Sequence, residues 1–150
     1  MGKGKPLKKR ELNPSSDRIP RKEREPVSYY DQKFSWRVHS NYIDCDNPKL
    51  GWEKIDSVDL LLNIIVKLHS YEGLTWGEVN NHKSCHPWSI DAIPHEFVNR
   101  LKERNIDVDE LFQISLGSMP RIIGNRDRAT FYLIWYDPDH KFWPTEPKNT

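Results

Sequence analysis

Between Val58 and Leu68 the apolar positions Val58, Leu61, Leu62, Ile65 and Leu68 recur every three or four residues, which gathers them on one side of a helix. Asp56 or Ser57 stands where an N-cap belongs and Gly73 supplies the stop. The stripe is wide, so the pattern predicts a helix buried in the core. Thr75-Trp-Gly-Glu78 reads as a capping box, in which hydroxyl and carboxylate each satisfy a free backbone donor, and predicts a short helix over residues 76–81. Ile93, Phe97, Val98 and Leu101 form the inner face of a further helix that starts near Pro94 and runs to about Asn105. A helical turn is expected over residues 107–111.

The period then changes to two. Residues 113–116 read as a strand ended by Gly117, and residues 121–124 as another, followed by a polar turn over 125–128. In residues 129–136, Phe131, Leu133 and Trp135 alternate with Tyr132, Ile134 and Tyr136. Both faces are apolar, as in a strand covered on two sides. Asp137-Pro-Asp-His140 fits a tight turn, and residues 141–143 a last short strand closed by Pro144. Further upstream, Phe34, Trp36 and Val38 alternate with Ser35, Arg37 and His39, which suits a short half-buried strand or an extended strap. Residues 41–51 and 82–89 read as loops. The order predicts an α+β fold, with N-terminal helices packed on a C-terminal antiparallel meander of three to four strands.

Composition adds a boundary. Residues 1–25 carry nine Lys and Arg against four carboxylates, a net +5, whereas the rest of the chain carries −4. Residues 1–27 also hold four prolines and almost no bulky apolar side chain. Such a segment cannot bury enough surface to offset its ordering entropy, so a disordered basic tail is expected over 1–27 and one α+β domain over 28–150. Lys8, Lys9 and Arg10 are the densest cations of that tail and suit phosphate contacts. No apolar run reaches the roughly 20 residues of a membrane span, and no secretory signal pattern opens the chain. The expectation is a cytoplasmic protein with Cys45 and Cys85 as reduced thiols.

Candidate chemistry concentrates near the C-terminus, in Arg121, Arg126, Arg128, Asp137, His140 and Lys141. Cleavage of RNA without a metal needs a group to take the 2′-hydroxyl proton, one to protonate the leaving oxygen, and cations beside the phosphorane. His, Arg and Lys are suited to those roles. His82, Cys85 and His86 have zinc-type side chains, but structural zinc sites show short-spaced ligand pairs at two places and only one is present. No metal or cofactor is therefore expected. Among the aromatics, Trp143 and Trp88 are the ones expected to be exposed, with Trp143 suited to stacking on an unpaired base.

The run Arg121-Ile-Ile-Gly124, then Phe131-Tyr-Leu-Ile-Trp135, Asp137-Pro-Asp-His140 and Trp143-Pro144 resembles the ending of small toxins of the RelE/ParE-like type. The resemblance implies helices packed on a small antiparallel sheet, cleavage of messenger RNA on the ribosome, and a protein antitoxin as partner. By it, Arg121, His140 and Lys141 are the candidate site. Read as an enzyme, the chain uses His140 as general acid or base, Arg121 and Arg126 as phosphate cations and Lys141 as a further cation, with Arg128 as a nucleic-acid contact. With the hairpin turn centred between Arg126 and Asp127, however, Arg121 faces Tyr132 and lies five residues, about 16 Å, from the His140 end. The two then serve one substrate but not one phosphate, unless a bulge shifts the register. Two readings follow: a metal-independent ribonuclease of toxin type, or a non-catalytic module that binds protein or nucleic acid.

Overall fold

The structure, a computed structural model, describes residues 29–117 and 119–142. The basic tail with Lys8, Lys9 and Arg10, and also Trp143, lie outside the described residues. The first long helix, α1 (residues 57–71), starts at Asp56, whose carboxylate accepts from the Asp59 N–H at 2.9 Å. It is α-helical over Ser57–Asp59, widens to a π-helix over Leu60–Ile65 and returns to α over Val66–Tyr71. A π turn closes over five residues instead of four, so each residue advances less about the axis and positions 58, 62 and 66 line up in one row. That row faces outward. Val58, Leu61, Leu62 and Val66 are at least half exposed, while Ile64, Leu68 and Tyr71 are buried. The stripe expected to lie in the core is thus split, because its spacing was read with α-helical pitch.

Helix α2 (Trp76–Asn80) carries both arms of the capping box: the Glu78 N–H donates to Thr75 Oγ1 at 3.2 Å and the Thr75 N–H to Glu78 Oε1 at 2.8 Å. Helix α3 (His95–Glu103) ends in a left-handed residue, Asn105, with φ 58°. The Ile106 N–H returns to the Leu101 carbonyl and the Asn105 N–H to that of Lys102, the two bonds that close a helix C-terminus in this way.

The fold is mixed α+β. Its sheet has five strands: β1 (Ser35–Arg37), β2 (His86–Ser89), β3 (Glu110–Ser115), β4 (Arg121–Asp127) and β5 (Thr130–Asp137), in the order β1-β5-β4-β3-β2. β1 runs parallel to β5 and the other pairs are antiparallel, so the sheet is mixed instead of a purely antiparallel meander of three to four strands. β2 arises from residues expected to form a loop. Pro87 is accommodated because β2 is an edge strand, where a missing N–H is tolerated. The helical turn expected at 107–111 is not formed, since Glu110 and Leu111 already belong to β3.

The hairpin register differs from expectation in a way that matters for the site. Its turn is Arg128-Ala129, with Asp127 paired to Thr130 and Arg128 at φ 58°. Further along, Gly124 pairs with Leu133 and Ile123 with Trp135, leaving Ile134 as the extra residue of a bulge. Gly124 suits this place because a Cβ there would collide with the Tyr132 carbonyl oxygen and lie 2.6 Å from Phe131 Cζ. Together the late turn and the bulge set Arg121 opposite Asp137, not opposite Tyr132.

Hydrophobic clusters cover the two faces of the sheet. Ile64, Leu68, Tyr71, Trp76 and Val79 from α1 and α2 pack with Phe112, Ile114, Ile122, Phe131 and Leu133. On the other face Phe97 and Leu101 of α3 pack with Leu111, Ile123, Ile134 and Trp135. A buried ion pair ties the segment before α1 to this second face. Asp44, with no exposed surface, accepts from Arg100 Nε, Arg100 Nη2 and Trp135 Nε1, each at 2.8 Å. No described helix is long and apolar enough to cross a membrane.

Candidate functional site

β4 begins at Arg121, which pairs with Ser115 on β3 and Asp137 on β5; one strand further out, His86 at the start of β2 pairs with Gln113. Directly paired residues share a face, as do alternate residues along a strand. His86, Gln113, Ser115, Arg121 and Asp137 therefore form a polar row across four strands, on the face whose apolar part is covered by α3. The row sits at the end of the sheet where the turn after β5 presents His140.

Asp137 and Arg121 are held by identifiable bonds. Asp137 is buried, and its two carboxylate oxygens accept from the Lys141 and Phe142 N–H groups, both at 2.7 Å. This clamp closes the 137–141 turn and holds His140 at φ 61°. It also explains why the strand expected at 141–143 is not formed over its described residues, 141 and 142: the N–H groups that a ladder would use are taken by the carboxylate. Phe142 is then drawn into the core against Phe97 and Trp135, ring centroids 5.2 and 6.0 Å away. Arg121 is only 8% exposed, and its Nη1 donates to the Met119 and Pro120 carbonyls, each at 3.0 Å. Behind the row, Tyr71 donates its hydroxyl hydrogen to the Ser115 carbonyl at 2.8 Å and stands 3.5 Å from Cys85 Sγ. Burial pushes the Tyr71 phenol well up and raises the Cys85 thiol, so both are neutral. They form a floor.

The electrostatics single out His86. Burial lowers its pKa below the ordinary 6.5; a backbone bond at Pro87 opposes this, while the positive charges of Arg121 and His140 lower it further. The His86 imidazole is thus held neutral at pH 7, within the field of a fixed guanidinium and a second imidazole. A neutral imidazole can take a proton from a substrate hydroxyl.

The other sequence-derived candidates lie elsewhere. Arg126 is at the far end of β4, about 16 Å along the strand from Arg121. Its guanidinium carbon stacks 3.6 Å from the centre of the Tyr29 ring, and its Nη1 donates to the Arg128 carbonyl. Arg128 is exposed at the hairpin turn. Lys141 is exposed with its Nζ 3.9 Å from Asp139. Of the four residues expected to act together, His140 and Arg121 share one end of the sheet. Lys141 flanks that end without joining the polar row, and Arg126 does not share it.

His86 was read from sequence only as a zinc-type ligand. The alternation of His86 and Trp88 with Pro87 and Ser89 is the signal that could have placed it on a strand. Trp88 is half-buried, its Nε1 donating to Gln113 Oε1 at 3.2 Å. Cys45 is exposed and Cys85 buried, and among the described residues no group of three His, Cys, Asp or Glu side chains is placed to hold a metal. Comparison with protein families, with curated proteins and with solved structures finds no match to the chain.

Proposed function

We propose that the chain is a nucleic-acid-interacting protein and that the His86–Arg121–His140 end of its sheet cleaves RNA without a metal. His86 takes the proton of a ribose 2′-hydroxyl, and the 2′-oxygen attacks the adjacent phosphorus. The bond from phosphorus to the 5′-oxygen breaks as protonated His140 gives that oxygen its proton. The products are a 2′,3′-cyclic phosphate and a 5′-hydroxyl. Arg121, anchored on two carbonyls, contributes a fixed positive charge beside the phosphorane. Lys8, Lys9 and Arg10 add attraction for the backbone. Ribosome-bound messenger RNA is the substrate that the toxin resemblance suggests.

One observation carries this reading: two imidazoles and a guanidinium share one end of the sheet, where burial favours a neutral His86. The test is incubation of the purified full chain, in EDTA, with a labelled single-stranded RNA and with its 2′-deoxy counterpart. Cleavage of the RNA alone is expected, ending in a cyclic phosphate. His86→Ala and His140→Ala should each slow it by about 10²–10⁴-fold. The rate should rise with pH through a limb centred below 6.5 that disappears in His86→Ala. Wild-type cleavage no faster than that of the double variant would overturn the enzyme.

A second reading, a non-catalytic module that binds nucleic acid or protein, is favoured by one feature: the Arg121 guanidinium bonds inward to backbone carbonyls and exposes little of itself to a phosphate. It predicts salt-dependent RNA binding that survives both histidine substitutions.

A further inference from the structure

The outer face of α1 has no role in the site above. Val58, Leu61, Leu62 and Val66 expose half or more of their surface on one helix, with Ile65 half-buried beside them. A contiguous apolar row on a helix of this length marks a contact surface more than a solvent face. Beside it runs a second row of Asp59, Asn63 and Lys67. The side chains adjoin, since Asn63 Nδ2 donates to Asp59 Oδ1 at 2.9 Å. Lys67 makes no ion pair among the described residues.

We propose that this face binds the same face of a second copy of the chain, with the two α1 helices antiparallel about Leu62. The charge pattern selects this occupant. Val58 and Val66 stand four residues either side of Leu62, so reversal of the helix lays the apolar row on itself. Asp59 and Lys67 stand four residues either side of Asn63, within one residue of the same centre. In an antiparallel pair related by a two-fold axis, the flank on one side of the seam meets the same flank of the partner. Asp59 of each copy therefore meets Lys67 of the other, twice per dimer. A parallel arrangement would set this flank against the opposite flank of the partner, the side of Leu61 and Ile65, and leave Asp59 and Lys67 without each other.

Sedimentation velocity of the full chain over a concentration series tests this, with circular dichroism confirming the fold of each variant. The wild type should shift from monomer to dimer as concentration rises. Leu62→Glu, at a position exposed in the monomer but on the two-fold axis of the dimer, should weaken association by about 100-fold or more. Asp59→Lys and Lys67→Asp should each weaken it, and the two together should restore it towards wild type. A wild type that stays monomeric throughout overturns the proposal and leaves the face to a different protein. A dimer indifferent to Leu62→Glu, or a charge swap no better than either single change, overturns it as well.

Discussion

Replacing Asp44 by Ala removes three bonds at once: those from Arg100 Nε and Nη2 and from the Trp135 indole, all at 2.8 Å. Arg100 keeps Asp46 at 2.9 Å, on the exposed side. Trp135, with no exposed surface, is left with an unpaired N–H inside the core. Breaking a buried charge pair from one side costs about 3–5 kcal/mol, a large fraction of the roughly 5–15 kcal/mol that holds a domain folded. Asp44→Asn keeps the shape and an acceptor for the indole but loses the charge. Its cost should fall to about 1.5–3 kcal/mol, the range for a hydrogen bond to a charged group. Urea unfolding followed by tryptophan fluorescence gives both values, at an unchanged denaturant slope. The pH dependence follows with a definite sign. Burial pushes the Asp44 carboxyl up, but the bonds from Arg100 and Trp135 and the charges of Arg100 and Arg104 together hold it below the ordinary 3.8. The pair's contribution is therefore complete above 3.8 and is lost as pH falls through the lower folded value. Asp44→Asn should flatten that acid limb. In a double-mutant cycle with Arg100→Met the two costs should fall short of adding, because each change alone strands the other partner. A loss under about 1 kcal/mol for Asp44→Ala, a size typical of an exposed pair, or additive costs in the cycle, would refute the reasoning.

Two further substitutions probe the elements that assemble the candidate site. Gly124→Ala should destabilise the hairpin by about 1–3 kcal/mol, the usual cost of overpacking, because the new methyl meets the Tyr132 carbonyl and the Phe131 ring; thermal unfolding at wild-type midpoint would show that the bulge yields freely. Asp137→Ala frees the Lys141 and Phe142 N–H groups and should cost about 2–4 kcal/mol. Amide exchange at 141 and 142 should accelerate before that of β5, and unchanged protection there would mean that Phe142 packing alone holds the turn.

What the sequence determined by itself was local. The Asp56 cap, the Thr75–Glu78 box and the end of α3 near Asn105 each depend on groups within a turn or two of one another. Their chemistry is therefore complete in the residues themselves. The two-sided burial of residues 129–136 was also legible, because an unbroken apolar run admits few other places. The tertiary structure decided everything that depends on which distant segment is nearby. An α-helical period placed Val58, Leu61 and Leu62 in the core, and only the π-helical widening turned them outward. Residues 86–89 read as loop, and only the pairing of His86–Ser89 with β3 made them an edge strand. The hairpin register rested on where the turn falls and on the bulge at Ile134, and each residue of slip reverses the faces of a strand. For that reason Arg121 reads from sequence as remote from His140 yet pairs with Asp137, two strands from His86. Spacing along a chain reports short-range chemistry well, whereas a site gathered from four strands exists only once their pairing is chosen.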